Sequence, residues 1–324
     1  MKAVLCKQYG PPDTLVIEDV ESPVPGPGEV VVSMHAASVN FPDVLIIQNK
    51  YQIKPPLPFS PGSELSGIVK AIGDGVTRVK PGDRVIAFTG YGAFAEEVKT
   101  QESRLVPMPE GMDFPTGASF ILTYGTSDHA LRDRGELKAG ETLLVLGAAG
   151  GVGLAAVEIG KALGARVVAC ASTEDKLAAC RTHGADETIN YSTEDLRERI
   201  KTITEGRGVD VVYDAVGGAY TEPALRSTAW RGRLLVVGFA AGDIPKLALN
   251  LALLKERSIV GVYWGDWTRR DPKGHARNMA ELARWLADGT VRPAITERIT
   301  LDQVPDALAR MSRRELRGKV VVVP

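Results

Sequence analysis

Val145 to Gly153 read VLGAAGGVG, and four glycines in that stretch leave a backbone bare of side chains just after an apolar run. Taken as a strand over Leu143–Leu146, a turn over Gly150–Gly153 and a helix over Leu154–Leu163, the segment aims backbone N–H groups at an anion. The pyrophosphate of a dinucleotide is the anion such a turn takes. Gly150, Gly151, Val152 and Gly153 are then cofactor-binding residues. A tight strand-to-helix turn needs glycine with or without a ligand, so the cluster alone decides little. Its context carries more, because a second apolar run, ARVVACAS, follows at βαβ spacing. An NAD enzyme places an acid at the end of that second strand for the ribose 2′-hydroxyl, and this chain places Cys170, Ala171 and Ser172 there. With no carboxylate to repel a 2′-phosphate, and with Ser172, Lys176 and Tyr191 close by in sequence, the expected cofactor is NADPH. Without that ligand, Lys176 reads as a solvated helix lysine.

The elements around this loop fall into two patterns. Up to about Leu105 the chain alternates short β-type runs with turn dipeptides, as in EVVVSM, GIVKAI, VKPGDRVIAF and FAEEV, which predicts a small, mostly antiparallel β domain. PMPEGMDFPTG, Pro107 to Gly117, reads as a linker. Beyond it TLLVLG, GVGLAAVEIGKALG, ARVVACAS, DKLAACRTHG, VDVVYDAV, RLLVVGF and SIVGVYW alternate strand and helix, which predicts an α/β fold with a parallel, doubly wound sheet. An amphipathic helix around Arg277–Ala287 and a last strand, KVVVVP, close the chain.

Composition narrows the partners. A chain of 324 residues, 44% hydrophobic and 24% charged, buries a sizeable core and suits two domains. Thirty-nine basic against forty acidic residues leave a formal charge of −1, which gives no electrostatic case for nucleic acid or a membrane surface. Cys6, Cys170 and Cys180 are odd in number and show no C-x-x-C pair, which argues against a disulfide framework or zinc knuckle. MKAVLCKQYG lacks the features of a signal peptide, and the expected setting is reducing and cytoplasmic.

Taken together, NFPDVL (Asn40–Leu45), PLPFSPGSELSGIVKAIG (Pro56–Gly73), VKPGDRV (Val79–Val85), LTYGTSDHAL (Leu122–Leu131), AAGGVG (Ala148–Gly153), VVGFAAG and the terminal GKVVVVP resemble the medium-chain dehydrogenase/reductase superfamily. Within it the chain is most similar to the zinc-free NADPH quinone oxidoreductases related to zeta-crystallin. The resemblance implies a GroES-like β-rich substrate domain from residues 1–120 and 290–324, and a Rossmann NADP-binding domain from 121–289. It also implies a homodimer formed by pairing of the edge strand at 258–264.

Zinc alcohol dehydrogenases of the superfamily read Cys-x-x-Asp where this chain reads Asn40-Phe-Pro-Asp43, and Gly-His-Glu where it reads Gly62-Ser63-Glu64. The third ligand position aligns near Leu122, which has no donor atom, and a catalytic zinc needs about three N, S or O ligands. No metal is expected. Alcohol oxidation relies on the metal to lower the hydroxyl pKa, so the expected reaction is hydride delivery to an acceptor already electron-poor, a quinone or an α,β-unsaturated carbonyl compound.

The resemblance also supplies roles. Asn40 lies beside the nicotinamide, although a turn residue before Pro42 reads the same way. Thr126 bonds the carboxamide, although TSDHAL also reads as a helix start with Thr126 as N-cap. Phe239 lines the nicotinamide side, and Arg314, or its neighbours Arg313 and Arg317, reaches the 2′-phosphate. Asp43 and Glu64 are expected to be hydrogen-bonding supports. Tyr51 matches a proton-donating tyrosine of the enoyl reductases, against the reading of a half-buried aromatic. Two further functions stay open: an enoyl-thioester or acrylyl-type reductase, and a crystallin-like protein that binds NADPH without turnover.

Overall fold

The computed structural model describes all residues, 1–324. Along the chain run β1 (Lys2–Leu5), β2 (Val16–Asp19), β3 (Glu29–Ser38), α1 (Phe41–Ile46), β4 (Glu64–Ile72), β5 (Arg84–Phe88), β6 (Glu97–Gln101), β7 (Leu105–Pro107) and α2 (Phe114–Asp128). A π-helical turn over His129–Arg134 continues α2. Next come β8 (Thr142–Leu146), α3 (Gly151–Ala162), β9 (Arg166–Ala171), α4 (Glu174–Thr182), β10 (Glu187–Asn190), α5 (Leu196–Ile203), β11 (Val209–Asp214), α6 (Thr221–Arg226) and β12 (Thr228–Val236). The chain ends with α7 (Asn250–Leu253), β13 (Ser258–Gly261), α8 (Trp264–Arg270), α9 (Pro272–Ala287), β14 (Ile295–Ile299), α10 (Val304–Ser312) and β15 (Lys319–Val322).

These elements form two compact units, Met1–Leu122 with Ile295–Pro324, and Thr123–Ala294. The first is built on a seven-stranded sheet of order β14-β15-β3-β4-β5-β7, with β6 also paired to β3. Every pairing in it is antiparallel except β14 with β15. It is the GroES-like half. Alternation along β3 sends Val30, Val32 and Met34 into the same core as Val69, Val85, Phe94 and Val322.

The second unit is a six-stranded parallel sheet of order β10-β9-β8-β11-β12-β13, the doubly wound arrangement of a Rossmann domain. Its central strands are apolar on both faces because helices cover both sides: Leu143, Leu144, Val145 and Leu146 of β8 are all buried. No helix is long and apolar enough to cross a membrane.

Four expected boundaries move. The glycine-loop helix begins at Gly151, with Gly150 as N-cap, rather than at Leu154. The expected linker ends early, because α2 starts at Phe114 and Pro115 sits in its first turn, where a missing N–H costs nothing. The edge strand stops at Gly261, and Trp264 opens α8 instead of ending the strand. The amphipathic helix starts at Pro272, capped by the Asp271 carboxylate accepting from the Gly274 N–H.

Candidate functional site

In the second unit the site is built on the carboxyl ends of the parallel strands. β8 ends at Leu146, and Gly147 turns the chain with φ of +69°, a conformation that favours glycine. A Cβ on Gly153 would lie 2.3 Å from the Gly147 carbonyl oxygen, so only glycine lets the first turn of α3 pack against the strand end. Gly150 caps α3 without a side chain, and the N–H groups of Gly151, Val152 and Gly153 have no carbonyl inside the helix to bond. That leaves three donors at the positive end of the helix dipole, the cradle an anion such as pyrophosphate requires.

Thr126 lies inside α2, which removes the N-cap reading. Every residue from Gly117 to Leu131 is buried except Thr126, which is half-buried. The next residue, Ser127, donates its hydroxyl to the Val152 carbonyl at 2.8 Å and lies 2.9 Å from the Tyr213 hydroxyl, which ties this helix to the glycine loop. On the other flank, a Cβ at Gly125 would come within 2.8 Å of the Trp264 ring. Thr126 is thus held from both sides by neighbours that the sequence reading did not single out.

At the end of β9, the Tyr191 N–H donates to the Ala171 carbonyl at 3.2 Å, which brings Tyr191 to the strand end that Ser172 follows. The Tyr191 ring packs on Tyr220, 4.3 Å between centroids. Lys176 is half-buried in the first turn of α4, where its N–H donates to the capping hydroxyl of Thr173. Glu174 in the same turn is engaged by Arg181. Phe239 follows β12 on a strap bonded to the end of β11 through Gly238 N–H to Asp214 O and Ala240 N–H to Ala215 O. The Asp214 carboxylate, buried, accepts from the Val216 and Gly217 N–H groups and the Thr221 hydroxyl, and so fixes that turn.

In the first unit, the side chains around Asn40 form a buried polar cluster. Asn40 is the N-cap of α1, and its own N–H donates to the Asp43 carboxylate at 2.8 Å. Its carboxamide turns inward: Nδ2 donates to Ser38 O, Ser38 Oγ and Glu64 Oε1, and Oδ1 accepts from the Lys319 ammonium at 2.6 Å. Glu64 also accepts from Ser38 Oγ, from the Leu122 N–H and from Lys319 at 3.2 Å. Tyr51 is half-buried and packs against the core of this unit. Arg314 is exposed, with φ of +61°, at the turn that ends α10. Its neighbour Arg313 is paired with Glu315.

Asp43 is fully buried, and although it accepts from Ser63 Oγ at 2.5 Å and from the Asn40 N–H, burial pushes its carboxyl up to about 7. Because this value lies above that of the unfolded chain, the folded protein holds a proton that the unfolded chain has released between about pH 4 and 7. Stability is therefore lost as pH rises through that window. Asp43→Asn imitates the protonated form, with its amide donating to Ser63 Oγ, and does not titrate. Its stability relative to the parent is expected to improve by about 2 kcal/mol between pH 5 and 7 in urea unfolding. A difference that stays constant with pH would place the charge on Asp43 throughout.

Comparison with known proteins then decides the family. Residues 26–110 match the alcohol dehydrogenase GroES-like domain, and residues 151–284 match the zinc-binding dehydrogenase family. The chain is 38% identical over 322 residues to the quinone oxidoreductase-like protein 2 of Bos taurus, spanning 99% of this chain and 92% of that one. It is 36% identical over 332 residues to a quinone oxidoreductase of Pseudomonas aeruginosa, spanning 100% and 99%. The chain belongs to the quinone oxidoreductase family. Among solved structures, Escherichia coli quinone oxidoreductase complexed with NADPH superposes with a TM-score of 0.93 at 29% identity, over 100% of both chains.

For this quinone oxidoreductase homologue, the zinc-binding description of the matched family does not extend to the residues that would hold the metal. Asn40 is committed to Lys319, Glu64 and Ser38, Ser63 to Asp43, and Leu122 offers only its backbone. An ammonium 2.6 Å from Asn40 Oδ1 would repel a cation placed there. Lys319 itself was missed by sequence reasoning. Its one signal is a lysine opening an otherwise apolar terminal run, GKVVVVP.

Proposed function

We propose that the chain is an NADPH-dependent oxidoreductase that delivers hydride, without a metal, to a quinone or an α,β-unsaturated carbonyl compound. The observation that carries this reading is a cofactor half with a bare glycine cradle and no acid at the end of β9, in a chain whose zinc positions hold Asn40, Ser63 and Leu122. NADPH, when bound, supplies the hydride; the protein supplies binding and orientation. The first-turn N–H groups of Gly151, Val152 and Gly153 hold the pyrophosphate, and Ser172, Lys176, Tyr191 and Arg314 recognise the 2′-phosphate. Thr126 and Phe239 orient the nicotinamide. Asn40, with its polar atoms turned inward, acts as a fixed wall. Tyr51 donates a proton to acceptors that need one. A quinone or enone has a carbon ready to take hydride, so no residue has to deprotonate a hydroxyl, the task for which zinc relatives use their metal. Two copies pair through the open edge of β13, where Ile259 is exposed and exposed Tyr263 follows two residues beyond the strand end, and the mass of the particle in solution tests that.

Cofactor preference tests the reading. Lys176→Met and Arg314→Gly are each expected to raise the KM for NADPH about tenfold or more and to change that for NADH little, since a charge-assisted contact is worth roughly 1.5–3 kcal/mol. Glycine is the informative substitution at Arg314, because it adopts the positive φ there without strain. Equal kcat/KM for NADPH and NADH in the parent protein would sink the assignment of the cofactor.

A further inference from the structure

The turn that follows β9 carries more negative charge than a site for a 2′-phosphate suits. β9 ends at Ala171, and Glu174 and Asp175 open α4 directly after the capping Thr173. An acid at the end of the second strand is what an NAD site uses to hold the ribose 2′-hydroxyl, and the same charge repels a 2′-phosphate. The dipole of α4 sharpens the conflict, because its N-terminus favours an anion and Glu174 is the carboxylate nearest to it.

Glu174 is drawn off by Arg181. The two are seven residues apart, about 10 Å and two turns along the helix, so both side chains leave the same face of α4. Arg181 Nη2 donates to the Glu174 carboxylate, and Nη1 donates to the Thr188 hydroxyl at 2.9 Å. Thr188 stands on β10 opposite Ala169, short of the strand end at Ala171. The guanidinium is therefore anchored beside the body of the sheet, and it turns the carboxylate along α4, away from the end of β9. Glu194 repeats the arrangement. Its carboxylate accepts from the N–H of Asn190, which stands opposite Ala171, and lies 2.7 Å from Arg199 Nε.

We propose that Arg181 determines cofactor specificity by withholding Glu174. While the pair is made, the strand end suits the 2′-phosphate of NADPH; once released, Glu174 becomes the acid of an NAD site. Arg181 is a positioning residue, since it acts on the cofactor through Glu174 and not by contact. This rests on the NADPH-dependent function proposed above, in which Ser172, Lys176 and Tyr191 meet the phosphate. With 45% of the Arg181 side chain and 73% of that of Glu174 exposed, the pair adds little to stability, so its loss reads out at the cofactor and leaves the fold in place.

The test measures dissociation constants of NADPH and NADH, by quenching of protein fluorescence, for the full chain, for Arg181→Met and for Arg181→Met combined with Glu174→Gln. Arg181→Met is expected to weaken NADPH about fivefold and to leave NADH within about twofold of the parent, because the freed carboxylate faces a phosphate in one case and a hydroxyl in the other. Adding Glu174→Gln should return NADPH to within about twofold of the parent. No loss of NADPH, or an equal loss of both cofactors, overturns the proposal. A double variant as weak as Arg181→Met also overturns it, since Arg181 would then touch the phosphate itself. A parent protein that binds the two cofactors equally would overturn the choice of NADPH, and the shift alone then decides this proposal. A ratio moved about fivefold toward NADH by Arg181→Met upholds it, and an unmoved ratio discards it.

Discussion

Tyr51→Phe is expected to lower kcat on enones and enoyl thioesters about a hundredfold or more, while quinone reduction changes less than tenfold. The difference comes from the acceptors. A quinone that accepts hydride becomes an aromatic hydroquinone anion that water protonates. An enone becomes an enolate, whose protonation gains from a donor held in place, and such general-acid help is worth about 10² to 10⁴ in rate, or roughly 3–5 kcal/mol of barrier. The ring of Tyr51 packs against the core of the first unit, and phenylalanine keeps that packing, so the comparison isolates the hydroxyl. Steady-state kinetics with NADPH on one quinone and one enone reads the outcome. A uniform loss on both would make Tyr51 a positioning residue. No loss on either would leave it a core-packing aromatic and the proton to solvent.

The glycine loop was legible in the sequence because a backbone requirement writes itself directly into residue type: a Cβ at Gly153 has nowhere to go. The doubly wound sheet was legible for a related reason, since strands buried on both faces must be apolar throughout, as β8 is. The end of β9 could also be read, because the missing acid is a local fact. Element ends were less legible. SIVGVYW is apolar to its last residue, yet the strand stops at Gly261, and Trp264 leaves the sheet to pack on Gly125 of a helix far back in the chain. Hydropathy records that a tryptophan is buried and not what buries it. Asn40 shows the same limit more sharply. Its position was marked by the motif, but the donor to its carboxamide oxygen is Lys319 Nζ, 279 residues away. Only the pairing of β15 beside β3 brings that ammonium to Asn40, and no local pattern predicts the contact.

That ammonium sets up the largest stability effect. Lys319 is 4% exposed, and its partner Glu64 is fully buried. Taking both charges out of water is costly, and burial holds the Lys319 pKa below the usual lysine range even with Glu64 beside it. Removing one partner is worse than having neither, because the remaining charge stays buried without compensation. Lys319→Met keeps the length of the stem and deletes the ammonium, leaving Glu64 to Ser38, Asn40 and the Leu122 N–H alone. We expect a loss of about 3–5 kcal/mol in urea unfolding, with amide exchange along β15 reporting on the first unit. Adding Glu64→Gln to that variant removes the stranded charge and should recover most of the loss, leaving the double variant within about 1–2 kcal/mol of the parent. The cycle therefore predicts strong coupling in a stated direction: the second substitution stabilises in the absence of Lys319 and destabilises in its presence. Additive losses would show that the two charges act independently and that Asn40 is oriented by its remaining partners. Strong coupling together with a fall in kcat in Lys319→Met would tie the orientation of Asn40 to the lysine that, in this zinc-free chain, supplies the cation at the buried site.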